Sequence, residues 1–211
     1  NQVSEIGVLS DCSQLKKLYF SYNQVKDINP ITNLTDLKVL YLSNNKVSNI
    51  ANLYRLNKLE ELNLNNNEIS DISSLVRLIN LKHLTFDSNK VKDVYALYPL
   101  TKLKSLAFNH NLVSDISVLK NLTNLETLSF SNNQVQDISA LSQLTKLKQL
   151  TISRNKVKDI SPLAKNEELD KGDSVIMSAN FIDLDDPDTK ANIETLEKRK
   201  VQMSYIYQLE Q

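Results

Sequence analysis

Apolar residues recur along this chain in two alternating rhythms. Over a few positions they alternate with polar residues, as in Leu62-x-Leu64 and Leu128-x-Phe130. After a following asparagine they switch to a spacing near three, as in Val135, Ile138, Leu141 and Leu144. The first rhythm is the two-residue period of a short strand with one face inward. The second reads as a brief apolar turn on the far side of the chain. Each asparagine stands 22 residues from the next, at Asn1, Asn23, Asn45, Asn67, Asn89, Asn111, Asn133 and Asn155.

Seven of these asparagines end the pattern Leu-x-x-Leu-x-(Leu/Phe/Ile)-x-x-Asn, exemplified by Leu59, Leu62, Leu64, Asn67 and by Leu125, Leu128, Phe130, Asn133. A fixed period of this length carrying this pattern is the leucine-rich repeat, whose units stack into a solenoid. Stacking pairs the strands into a parallel sheet at about 4.8 Å per coil. The Asn side chain at the turn leaving each strand is placed to satisfy backbone groups that the bend leaves unpaired. Asp27, Asp71, Asp93, Asp115, Asp137 and Asp159, with Asn49 in the same place, are expected to N-cap the back turns. Pro30 and Pro162 fall just inside such turns, where a missing N–H costs little. The expected architecture is an α/β repeat solenoid, gently curved. Its parallel sheet lines the concave face, short 3-10 or irregular turns form the convex face, and a helix-strand unit caps the C-terminal end.

Residues 1–14 read as the tail of a truncated repeat, which suggests a fragment of a longer chain, and 15–166 as seven complete repeats. In 167–184 the register slips, Asn180 following Asn155 by 25 residues, which marks a degenerate last repeat. Residues 185–211 read as the cap. Asp185 or Asp186 starts a helix with Pro187 near its first turn, and Val201, Met203, Tyr205 and Tyr207 alternate as a strand. Cys12 lies 22 residues before Leu34, in an apolar column, and is expected to be a small core residue.

Charge narrows the function. Twenty-five basic residues balance 25 acidic ones. A nucleic-acid binder or a polybasic membrane module would carry a basic excess. One cysteine allows no intramolecular disulfide, and two glycines leave no phosphate-cradling loop. No Cys-x-x-Cys, His-x-x-x-His, Gly-x-Ser-x-Gly or Walker-type motif occurs. His83 and His110 lie in adjacent coils at strand positions too far apart to share a metal ion. One Asp per coil does not make a calcium site. The sequence therefore carries no expected enzyme activity, metal or cofactor.

What varies is the concave face. Aromatic residues gather at its first coils, with Tyr19, Tyr22 and Tyr41 beside Val39. Tyrosine is enriched at interface hot spots. Glu61, Asn63, His83, Asp87 and His110 continue the candidate contact surface. On the convex side Tyr54, Val76 and Tyr98 occupy one repeat position in consecutive coils, with Arg55 and Arg77 alongside and Tyr95 close in sequence. These are expected to pack between neighbouring back turns, the alternative being a second docking column.

The segments "NLTNLETLSFSNNQVQDISAL" and "LKVLYLSNNKVSNI" closely resemble the internalin-like repeats of Gram-positive bacterial surface proteins. That resemblance implies an extracellular, surface-attached or secreted solenoid that binds another protein, commonly a host protein, on its concave face. It transfers no contact residue, because contacts in that family lie at variable positions. The C-terminal segment departs from it and looks like a terminus of other low-GC bacterial repeat proteins, some of which look for haem or haemoglobin. Eukaryotic phosphatase regulators share the 22-residue period. Three functions follow as expectations: a non-enzymatic protein-binding module for adhesion or virulence, capture of haem or a haemoprotein, or a structural spacer.

Overall fold

The computed structural model describes residues 1–205 together with 208 and 209. Among these residues nine three-residue strands form one parallel sheet in sequence order. They are β1 (Lys17–Tyr19), β2 (Val39–Tyr41), β3 (Glu61–Asn63), β4 (His83–Thr85), β5 (Ser105–Ala107), β6 (Thr127–Ser129), β7 (Gln149–Thr151), β8 (Ser174–Ile176) and β9 (Gln202–Ser204). The central leucines pair in unbroken register, Leu18 with Leu40, Leu40 with Leu62 and so on to Leu150 with Val175. The strand expected over 201–207 is shorter, and its Tyr207 lies outside the described residues.

The back of each coil is explained by the three-residue apolar spacing. A 3-10 turn has three residues per turn, so side chains three apart eclipse. Ile72, Leu75, Leu78 and Leu81 are accordingly all buried, and the N–H groups of Leu75, Leu78 and Leu81 each donate to the carbonyl three residues earlier, at 2.9–3.0 Å. The aspartates act one residue earlier than a formal cap. The residue before each turn, such as Ile72, makes no side-chain cap, while Asp71 Oδ1 accepts the Ser73 N–H at 2.7 Å. This Asx turn recurs at Asp27, Asn49, Asp93, Asp115, Asp137 and Asp159. The donated N–H holds the Asp71 and Asp115 carboxyls below the usual carboxylate range. Pro30 and Pro162 sit in the first positions of their turns, the latter in the helical turn α1 (Ser161–Lys165).

The asparagine column is the second framework. Asn111 is typical: Oδ1 accepts the Val91 N–H of the preceding coil at 3.0 Å, and Nδ2 faces the carbonyls of Phe86, Phe108 and Asn109 at 3.1–3.2 Å. Asn180 extends this pattern after the register slip, its Oδ1 accepting from Val157. The C-terminal helix α2 (Pro187–Lys198) is capped by Asp186, whose carboxylate accepts the Thr189 N–H at 2.8 Å. It buries Ile193 and Leu196 against the last coils, and Arg199 donates to the Asn166 carbonyl at 3.1 Å.

Cys12 corrects an expectation. It occupies the column position of Leu34 but is exposed, with Sγ 3.8 Å from the Val8 carbonyl oxygen. A column residue is buried by a coil on each side. Cys12 belongs to the first coil, where Leu9, Leu15 and Phe20 are likewise only partly buried.

Candidate protein-binding face

Strand residues flanking the central leucine turn away from the core and line the concave face. At its first coils Tyr19 and Tyr41 meet edge to face, with centroids 5.1 Å apart and planes at 82°. Such a pair is favourable beyond the area it buries. Tyr19 remains 61 % exposed, and Tyr22, at the turn leaving β1, is 69 % exposed. The Tyr41 phenol donates to Glu61 Oε2 at 2.9 Å. That bond, reinforced by burial, raises the Tyr41 pKa. Tyr19, Tyr41 and Glu61 therefore form one linked group.

Val39 does not join the accessible face, being only 5 % exposed. It stands in register between Lys17 and Glu61, two residues before Tyr41 on the same face, and the Tyr41–Glu61 bond spans β2 to β3 beside it.

Sequence reasoning missed a second polar ladder on this face. Asn65 Oδ1 accepts the Asp87 N–H at 2.7 Å. Asp87 Oδ1 then accepts the Asn109 N–H at 2.6 Å and Asn109 Nδ2 at 2.9 Å. Asn109 Oδ1 accepts from the Ser131 N–H and the Ser129 hydroxyl, both at 2.7 Å. Asn63 contributes beside it, accepting the Asn65 N–H at 3.0 Å. The Asn/Asp run at 65, 87 and 109 was the available signal. Asp87 is thus occupied inside the protein, and burial raises its pKa against the opposing pull of Asn109 and His110. Asp87→Asn keeps the Oδ1 acceptor used at Asn65 and Asn109 without burying a carboxylate. It is expected to raise stability by about 0.5–2 kcal/mol at neutral pH, the range of single stabilising substitutions. A denaturation midpoint that falls in the variant would contradict this.

His83 is exposed on β4, in register with Glu61. His110 lies after β5, exposed and left-handed at φ 54°, with Nε2 3.4 Å from Asn132 Nδ2. Tyr22, Asn44, Asn66, Ser88, Asn132 and Arg154 share that left-handed conformation without being glycine. The repeat imposes the bend on each coil, and the local preference of Asn eases it only at some. Among the described residues, no group of three His, Cys, Asp or Glu side chains is placed to hold a metal ion.

The convex column differs from its expected packing. Tyr54, Val76 and Tyr98 are between 44 and 51 % exposed, because Leu53, Leu75 and Leu97 just before them take the core positions. Tyr95 stacks on Tyr98 with centroids 6.1 Å apart. A groove of about 490 Å³ lies alongside, lined by Ile72, Val76 and Tyr95 among others.

The coil geometry and the two ladders define a leucine-rich repeat solenoid, a protein-interaction scaffold. The chain belongs to the leucine-rich repeat family, whose two-copy repeat model matches residues 13–55, 35–77, 57–99 and 123–165. Within that family it is internalin-like. An internalin (inlF) from Listeria monocytogenes superposes with a TM-score of 0.85 at 30 % identity, over 96 % of this chain and 60 % of that one. Internalin C2 from the same species gives 0.76 at 32 % identity, over 79 % of this chain and 74 % of that one. The chain thus spans about three-fifths of the first internalin's length. The fold also matches the leucine-rich repeat ectodomain of an Arabidopsis thaliana membrane receptor kinase, solved in complex with a Casparian strip integrity factor. Here the TM-score is 0.83 at 24 % identity, over 98 % of this chain and 26 % of that one. Comparison with curated protein sequences gives no match. Among the described residues no helix is long and apolar enough to cross a membrane.

Proposed function

We propose that this chain is a non-enzymatic recognition module of a bacterial surface or secreted protein. It engages a host extracellular protein through the concave face, in adhesion or virulence. The observation that carries the reading is the exposed aromatic group on a rigid sheet. Tyr19 and Tyr22 are the most exposed large hydrophobic residues of that face, and Tyr41 is fixed beside Tyr19 by its bond to Glu61. Ordered tyrosines lose little conformational freedom on binding, which is why they serve as anchors. The remaining concave positions, Asn63, His83 and His110, form a polar rim, and Asp87 acts mainly within the protein. The internalin likeness supports the surface setting, and the fold shared with a receptor ectodomain solved in complex with a Casparian strip integrity factor supports a protein ligand.

The test is a screen of the immobilised chain against host extracellular proteins and haemoproteins, with a Tyr19→Ala/Tyr41→Ala variant in parallel. The expected result is a specific partner whose affinity falls by more than about 1 kcal/mol for each tyrosine removed. A partner bound equally well by the folded variant would move the site off these coils. A haemoprotein hit would favour the iron-uptake reading, and a panel with no hit the spacer reading.

A further inference from the structure

We propose that Tyr19, Tyr41 and Glu61 form a receptor for one arginine side chain of the protein partner. The inference rests on the concave-face reading above and specifies its chemistry.

Several carboxylates of these coils are already paired. Glu60 points to the flank and takes Lys82 at 2.6 Å and Lys38 at 3.2 Å. Glu126, Asp36 and Glu68 are likewise met by lysines of neighbouring coils. Asp87 on the concave face is engaged by Asn109. Glu61 differs from all of these. It is half-buried and faces the concave side, and among the described residues no cationic nitrogen lies within ion-pair distance of it. Among the described residues its carboxylate takes one hydrogen bond, from the Tyr41 phenol, which fixes Oε2 and leaves Oε1 without a donor.

The surroundings select the class of cation. One tyrosine ring, Tyr41, reaches the carboxylate through its phenol, and it meets edge to face a second, Tyr19, that is mostly open to solvent. A guanidinium is planar, weakly hydrated and forked. It stacks on an aromatic face while its N–H groups meet a carboxylate, whereas a compact ammonium gains less from the ring and keeps its water. A guanidinium lying along Tyr41 directs its fork at Glu61, with Tyr19 as the outer wall. The neighbouring charges leave this space open. Lys17 is two strands away from Glu61 in register, His83 is one strand away and exposed, and Lys38 is drawn to Glu60 on the flank.

The test needs no macromolecular partner. The tyrosine ring resonances of the whole chain are followed by NMR while N-acetyl-arginine amide is added. Its neutral isostere N-acetyl-citrulline amide and N-acetyl-lysine amide serve as comparison probes. The expected result is saturable shifts confined to Tyr19 and Tyr41, with a dissociation constant on the order of millimolar. Citrulline is expected to bind at least about fivefold more weakly, lysine less well than arginine, and Glu61→Gln to lose about the same factor as citrulline. Equal shifts from citrulline overturn the proposal on the unaltered chain, independently of how the variant folds. So does a Glu61→Gln chain that keeps its melting temperature and its arginine affinity. Equal binding of lysine overturns the choice of guanidinium. A partner from the screen that binds the Glu61→Gln chain normally would end this proposal while leaving the concave-face reading intact.

Discussion

Phe108→Ala is expected to lower the unfolding free energy by about 3–5 kcal/mol. Phe86, Phe108 and Phe130 are fully buried and stack through three coils, with centroids 5.5 Å apart and planes at 11° in both pairs. That spacing exceeds the roughly 4.8 Å between paired strands, as it must where coils fan outward behind a concave sheet. Removing the middle ring opens a cavity with a ring on each side. Short coils pinned by ladder hydrogen bonds on one side and 3-10 turns on the other have little freedom to collapse into it. Because each coil is stabilised mainly by its neighbours, a central defect weakens two interfaces together. Phe108→Leu installs the residue that Leu42 and Leu64 supply to the same column and is expected to lose roughly half as much or less. Phe20→Ala, at the partly buried first coil, is expected to lose less than Phe108→Ala. Urea denaturation of the three variants checks the order. A Phe108→Ala chain that unfolds within about 1 kcal/mol of the parent would show that the coils can close around the gap.

The features that repeat are the ones the sequence discloses. A position buried in the same way in every coil is written many times, so the leucine register and the asparagine column can be read without a structure. The misjudged residues are those whose environment is not periodic. Cys12 sits in a column that is buried in later coils, yet it is exposed in a coil where Leu9, Leu15 and Phe20 are also only partly buried. Val39 occupies an outward position, yet it is only 5 % exposed, two residues before Tyr41 and in register with Glu61 of the next coil. The Asn65–Asp87–Asn109 ladder exists only in the middle coils, where polar letters at an outward position look like solvent-facing variation. The link between Tyr41 and Glu61 joins residues 20 apart that differ in type from their column neighbours. Aromatic clustering pointed to that end of the face, but pairing of the phenol with the carboxylate depends on side-chain reach. The aspartate turns show a smaller gap of the same kind: the residue and its purpose are legible, while the shift from cap to Asx turn is set by backbone geometry.

Asn111→Ala is expected to cost about 2–4 kcal/mol, more than the removal of an average hydrogen-bonding side chain. The reason is unequal redundancy among its partners. The Val91 N–H has Asn111 Oδ1 as its acceptor and would be left buried and unpaired. The carbonyls fare better, because the ladder is shared between coils. Phe86 O also receives Asn89 Nδ2 at 3.0 Å, and Phe108 O also receives Asn133 Nδ2 at 3.0 Å. Most of the loss therefore falls on one amide, and hydrogen exchange at Val91 should accelerate more than at Val113, whose acceptor Asn133 remains in place. Adding Asn133→Ala strips Phe108 O of both side-chain donors and orphans Val113 as well. The double variant should then lose more than the sum of the two single ones, by on the order of 1 kcal/mol. Strict additivity in that cycle would mean that each ladder asparagine acts alone. A coupling of the expected sign would mean that the column works as one continuous hydrogen-bonded unit, which keeps the concave face rigid from the aromatic end to the cap.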